Sequence, residues 1–145
     1  MSVGRICTRV VATAVAEESV WDVARRMEEH NVGTVVVTSP TGEPLAIVTD
    51  RDVVVRCVAR SLDPKHTPVS VIMTRGVRTV DEATPIEQAL RTMAQVRARR
   101  LVVTGEQGKL AGILSVDDVI LLLGEEAASV GLVLAEASPE LVPRR

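Results

Sequence analysis

Two short stretches of this sequence place a hydroxyl and a carboxylate three residues apart: Thr49-Asp50-Arg51-Asp52 and Ser115-Val116-Asp117-Asp118. A carboxylate can accept hydrogen bonds from both hydroxyls of a ribose cis-diol. Each such charge-assisted bond is worth about 1.5–3 kcal/mol. A hydroxyl beside the free N–H groups of a helix start suits a phosphate. The same hydroxyl-x-x-Asp spacing is also a plain capping box, in which the two side chains satisfy each other's backbone N–H. Asp52 and Asp118 fit either role, and a helix start has donors enough for both.

Other residue types add to this chemistry. Arg97, Arg99 and Arg100 form a basic cluster ahead of an apolar run, which suits either a phosphate or a solvated face. Arg51 is a further phosphate candidate, whereas its counterpart Asp117 would repel one. Ile47 and Ile113 lie close to the two corners and could flank a base or simply fill the core. His30 and His66 are isolated. Cys7 and Cys57 lie far apart without metal-ligand spacing, and read as small buried apolar residues. There is no nucleophile paired with a base and no Gly-rich phosphate loop. The expectation is therefore a binding protein with no catalytic residue and no metal.

The elements that must position these residues come from a repeat. Sliding the sequence on itself aligns Ile6 with Ile72, Thr8 with Thr74, Arg25 with Arg91, Met27 with Met93, Val36 with Val102, Gly42 with Gly108 and Asp52 with Asp118, all at an offset of 66 without a gap. Val10 to Thr13 and Val77 to Val80 read as short strands. Val20, Val23, Ala24 and Met27, and likewise Ile86, Ala89, Leu90 and Met93, give one apolar face on each of two helices. Thr84, Pro85 and Glu87 predict a capped start for the second helix, and Ser19 with Asp22 a weaker one for the first. Thr34 to Thr38 and Arg100 to Thr104 are β-branched strands. Turns around Gly42 and Gly108 lead into strands Pro44 to Val48 and Leu110 to Leu114. Val53 to Arg60 and Val119 to Leu123 are read as helices from the symmetry and the capping pattern. Each repeat is β-α-β-β-α, an α/β (α+β) arrangement. The expected division is residues 1–66 for repeat 1 with its linker, 67–125 for repeat 2, and 126–145 for a tail. That tail is expected to be partly helical, then frayed from Pro139 to Arg145, with Val130, Leu132, Val133 and Leu134 covering a core edge or a partner.

Composition limits the function. The 145 residues suit one compact domain or two very small ones. Phe and Tyr are absent and Trp21 is the single aromatic, so a base-stacking platform for nucleic acid is excluded. A formal net charge of −2 implies no general attraction to nucleic acid or acidic membranes. No apolar run approaches a membrane span, and Met1 to Arg5 lead into no signal-peptide core, so a cytoplasmic protein is expected.

The repeat, the Val71-Ile72-Met73-Thr74 opening, the Gly112 to Asp118 motif and the Thr49-Asp50-Arg51-Asp52 version resemble a tandem pair of CBS domains, named after cystathionine β-synthase, of the stand-alone bacterial kind. The resemblance covers roughly residues 6–124. Ala46 departs from it where the first motif usually has Gly, and Val102 where Pro is frequent. It implies two pseudo-symmetric repeats packed through their sheets, with clefts between them for adenosine-containing ligands (AMP, ADP, ATP, S-adenosylmethionine or NAD-like molecules). It also implies a homodimer and signalling to an effector protein, with no cofactor required beyond an AMP/ATP-class regulatory ligand. Under the resemblance Thr49, Arg51, Asp52, Ser115, Asp118, Arg99 and Arg100 bind the ribose and phosphate. Ile47 and Ile113 flank the base, and Thr13 and Thr79 end strands where ligands meet backbone. The competing reading is a ligand-independent scaffold for a protein partner.

Overall fold

A computed structural model describes residues 1–137. The segment Pro139–Arg145, expected to fray, lies outside the described residues. Among the described residues the chain builds two small sheets with four α-helices. Sheet one has the order β1 (Thr13–Ala14), β2 (Thr34–Thr38), β3 (Pro44–Thr49) and β4 (Thr74–Arg75). Sheet two has the order β5 (Thr79–Asp81), β6 (Arg100–Thr104) and β7 (Leu110–Ser115). In each sheet the first strand runs parallel to the second, and the third antiparallel to the second. Helices α1 (Val20–His30) and α3 (Ile86–Val96) make the parallel crossovers.

Gly42 and Gly108 turn the chain between paired strands at φ 93° and 70°, a region open to glycine. A register shift follows in each copy, after Val37 and after Val103. The repeat thus reaches down to its irregularities.

The two repeats exchange their leading segments. Strand β4 belongs to the leading segment of repeat 2 but pairs with β3 of repeat 1, Ile47 opposite Thr74 and Ala46 opposite Arg75. By the same symmetry Thr8 bridges to Ile113, with N–H to carbonyl bonds of 2.8 and 3.0 Å. The cores follow the exchange. Val69, Ile72 and Met73 pack into the first core with Val20, Val23, Val35 and Val48. Val3 and Cys7 pack into the second with Ile86, Leu101, Val103 and Leu114. Val36 and Val102 are buried yet belong to neither core. Strand alternation points them to the opposite faces of their sheets, toward the space between the repeats.

Several local expectations change. Strand β1 begins at Thr13, not Val10, and β5 at Thr79, not Val77. Ser19 caps α1, its oxygen accepting from the Asp22 N–H at 3.1 Å. Thr84 does not cap α3. The exchanged N-terminus takes over there: the Met1 carbonyl accepts from the Ile86 N–H at 3.2 Å, and the Thr84 carbonyl accepts from the Val3 N–H at 2.8 Å. Helix α2 starts at Asp50–Asp52 and continues as a π-helix over Val53–Val58. Its counterpart α4 is one α-helix, Val116–Ala137, that runs straight through the expected tail boundary. Ile120, Leu121, Leu123, Val130, Leu132 and Val133 on α4 are exposed, so they cover no core edge of this chain. Among the described residues no helix is long and apolar enough to cross a membrane.

Candidate functional site: two clefts between the repeats

Each corner closes as a capping box. Thr49 donates its N–H to Asp52 Oδ2 at 2.9 Å, and Asp52 donates its N–H to Thr49 Oγ1 at 3.2 Å. Ser115 donates its N–H and its hydroxyl to Asp118 Oδ2, at 2.8 and 2.9 Å, and Asp118 donates its N–H to Ser115 Oγ at 3.1 Å. The capping role is therefore filled at both sites, and it engages one carboxylate oxygen in each. The second oxygen differs between them. Asp52 Oδ1 lies 3.6 Å from Arg56 Nε. Asp118 Oδ1 meets no hydrogen-bond donor among the described residues.

Asp118 faces a cleft of about 210 Å³. Repeat 1 contributes Thr8, Val10, Val11, Ala12, Val32, Gly33 and Thr34 to its walls, and repeat 2 contributes Arg100, Ile113, Ser115 and Asp118. The walls combine aliphatic side chains, a carboxylate, hydroxyls and one guanidinium. A second cleft, of about 520 Å³, is the pseudo-symmetric mate. Its walls are Ile47, Thr74 to Arg78, Gln95, Val96, Ala98 and Arg100. Thr74, Gly76, Val77, Arg78 and Ile47 correspond through the repeat to Thr8, Val10, Val11, Ala12 and Ile113. The exchange of leading segments creates both clefts, because it lays residues 8–12 and 74–78 against the opposite repeat.

The structure thus gathers Ser115, Asp118, Ile113 and Arg100 in the first cleft and Ile47 in the second, with Arg100 on both. Thr49 and Asp52 form the corner next to Ile47 but are not among the walls of the second cleft. Arg99 lines neither cleft; its Nη2 lies 3.4 Å from Oδ1 of Asp117, the acidic residue expected to repel phosphate. Arg51 is exposed on the first turn of α2, away from both clefts. Thr13 lies on a separate groove beside Glu18 and Arg26, where its carbonyl accepts from Arg26 Nη1 at 2.7 Å. Thr79 pairs with Val102 and lines neither cleft. The walls also include Val10 to Ala12 and Thr74 to Arg78, whose sequence reads only as strand or lead-in. Their signal was the repeat itself, which extends upstream of both first strands.

Among the described residues no group of three or more His, Cys, Asp or Glu could hold a metal. Cys7 and Cys57 are buried and unbridged. Burial is the main influence on Cys7 and pushes its thiol up.

These features define a class: two interleaved β-α-β-β-α units with a cleft beside each exchanged leading segment. Residues 3–58 and 69–125 match the CBS domain family, and the chain belongs to that family as a tandem pair. It is 33% identical to an uncharacterized protein of Methanopyrus kandleri, over 83% of this chain and 61% of that protein. It is 33% identical to CBS domain-containing protein YhcV of Bacillus subtilis, over 81% of this chain and 82% of that one. The solved CBS domain protein from Pyrobaculum aerophilum complexed with AMP superposes with a TM-score of 0.74 at 27% identity, over 88% of this chain and 99% of that one.

Proposed function

We propose that this chain is a regulatory module that binds an adenosine-containing ligand of the AMP/ATP class in the clefts between its repeats and signals its presence to an effector protein. The observation that carries the reading is Asp118. It lines the first cleft with one oxygen committed to the capping box and the other without a donor among the described residues. That oxygen can accept from a ribose hydroxyl while the helix start stays intact. Val10, Val11 and Ile113 offer aliphatic contact to a base, and Arg100 offers a donor to phosphate. The likeness to an AMP-complexed CBS protein supports the same ligand class. Both clefts join residues of the two repeats, so a ligand that prefers one arrangement of the repeats shifts the population toward it. Thermal melting with adenosine, AMP, ATP and S-adenosylmethionine tests the reading. A ligand at 100 times its Kd should add about 2.7 kcal/mol of stability. No shift with any of them contradicts it.

Exposed apolar residues support a second contact. Val54 and Val55 on α2 correspond through the repeat to Ile120 and Leu121 on α4, and with Val58 these residues are 44–67% exposed. We assign them to a homodimer interface, in which a second copy covers both helices at once. Ile120→Glu with Leu121→Glu should convert a sedimenting dimer to a monomer. An unchanged sedimentation coefficient would instead favour the reading of α4 as a docking helix for an unrelated partner.

A further inference from the structure

The two clefts occupy related places in the two repeats but differ in charge and in volume. We propose that the second cleft selects a polyphosphate group, held by Arg75, Arg78 and Arg100, whereas the first takes a ligand with one phosphate or none. This rests on the reading of the clefts as nucleotide sites.

The difference arises position by position through the repeat. Arg75 lines the second cleft, and its counterpart Arg9 does not line the first. Arg9 is held elsewhere: Nη1 lies 2.8 Å from Glu82 Oε2, and Nη2 donates to the Gly4 carbonyl at 2.7 Å. The counterpart of Glu82 is Ala16, so no equivalent carboxylate restrains Arg75. Arg78 has Ala12 as its counterpart in the first cleft. Arg75, Arg78 and Arg100 make no side-chain hydrogen bond or ion pair among the described residues.

The carboxylates reinforce the asymmetry. Asp118 is a wall of the first cleft, and it sets a negative charge against any phosphate beyond the one Arg100 can hold. Asp52, its counterpart, stands outside the second cleft and is offset by Arg56 at 3.6 Å. Arg56 is itself fixed, donating to the Ile72 carbonyl at 2.9 Å and to Thr74 Oγ1 at 3.1 Å. Its counterpart is Leu122. Three guanidiniums that line one cavity without a partner among the described residues gain from a multiply charged anion, which planar forks can grip bidentately. The volumes agree. The second cleft, at about 520 Å³, falls within the usual range for small-molecule sites, and the first, at about 210 Å³, falls below it.

Calorimetric titration of the full chain tests this with AMP, ATP and inorganic tripolyphosphate as probes. The variant is Arg75→Ala with Arg78→Ala, both exposed positions, compared with Arg75→Lys with Arg78→Lys. Melting temperature checks that each variant is folded. ATP and tripolyphosphate should lose about tenfold or more in affinity in the Ala variant. The Lys variant should recover part of that loss, and AMP should change less than about threefold. Tripolyphosphate binding that depends on these arginines, with no binding of any adenosine ligand, would sustain the charge assignment and refute the nucleotide reading. Equal losses for AMP and ATP, or no arginine dependence for either polyphosphate, would overturn the proposal. So would an absence of binding by both ATP and tripolyphosphate.

Discussion

Replacing Asp118 separates the two roles of its carboxylate. Asp118→Ala removes the acceptor for both the Ser115 N–H and the Ser115 hydroxyl, at 2.8 and 2.9 Å. The Asp118 N–H keeps its bond to Ser115 Oγ at 3.1 Å. Half of the capping box is lost, which costs about 0.5–2 kcal/mol of stability. Asp118→Asn keeps a carbonyl oxygen that can still accept from the Ser115 N–H, so its stability cost should stay below about 1 kcal/mol. Ribose binding responds differently. The oxygen left outside the capping box loses its charge in Asn and is absent in Ala. Loss of one hydrogen bond to a charged group, about 1.5–3 kcal/mol, corresponds to roughly a 10- to 150-fold rise in Kd for an adenosine ligand in the first cleft. Urea unfolding supplies the stability term and calorimetric titration the affinity term. Asn should therefore separate the two, with small destabilisation and a large loss of affinity. If Asn binds as tightly as the natural protein while Ala is destabilised, Asp118 is a helix cap and the ribose assignment is wrong.

Two predictions concern the framework. A Cβ on Gly112 would lie 2.6 Å from the Thr8 carbonyl oxygen and 2.9 Å from Cys7 Sγ. Gly112→Ala should therefore cost about 1–3 kcal/mol in urea unfolding and should strain the Thr8–Ile113 bridge that closes the first cleft; an unchanged midpoint would show that the leading segment yields freely. Glu18 accepts from Arg26 at 2.6 and 3.0 Å and from the Val15 N–H at 2.8 Å. The Arg26 contact, foremost, holds the Glu18 carboxyl below its ordinary range. A depressed carboxyl adds stability above its unfolded pKa, about 4.3, and loses it as pH falls through the lower folded value. The stability gap between the natural protein and Glu18→Gln should hold from pH 7 to about 5 and close below about pH 4. A gap that persists undiminished at pH 3 would show that ionisation of Glu18 adds nothing.

Much of this architecture was legible because it is local and repeated. The hydroxyl-x-x-Asp corners, the turn glycines and the α1 and α3 faces depend on residues a few positions apart, and each appears twice at the same offset. The exchange of leading strands was not legible, since Thr8 with Ile113 and Thr74 with Ile47 are long-range pairs that leave no periodic mark. The missed Thr84 cap follows from the same exchange, because a distant carbonyl, that of Met1, takes the N–H a local cap would have served. Arg99 illustrates a third kind of limit. Its place before β6 suggested phosphate, but the distance to Asp117 was set by tertiary structure. Ala46, a departure from the usual Gly, is fully buried in the first core opposite Arg75. There a methyl group is accommodated, where the Cys7 and Thr8 side of the mate leaves no room for one at Gly112.

A structure of the chain crystallised with AMP is the most direct test of the central claim. The account predicts the ribose hydroxyls within hydrogen-bond distance of Asp118 Oδ1, the base against Val10 and Ile113, and the phosphate toward Arg100. AMP bound away from both clefts, or empty clefts at saturating AMP, would contradict it.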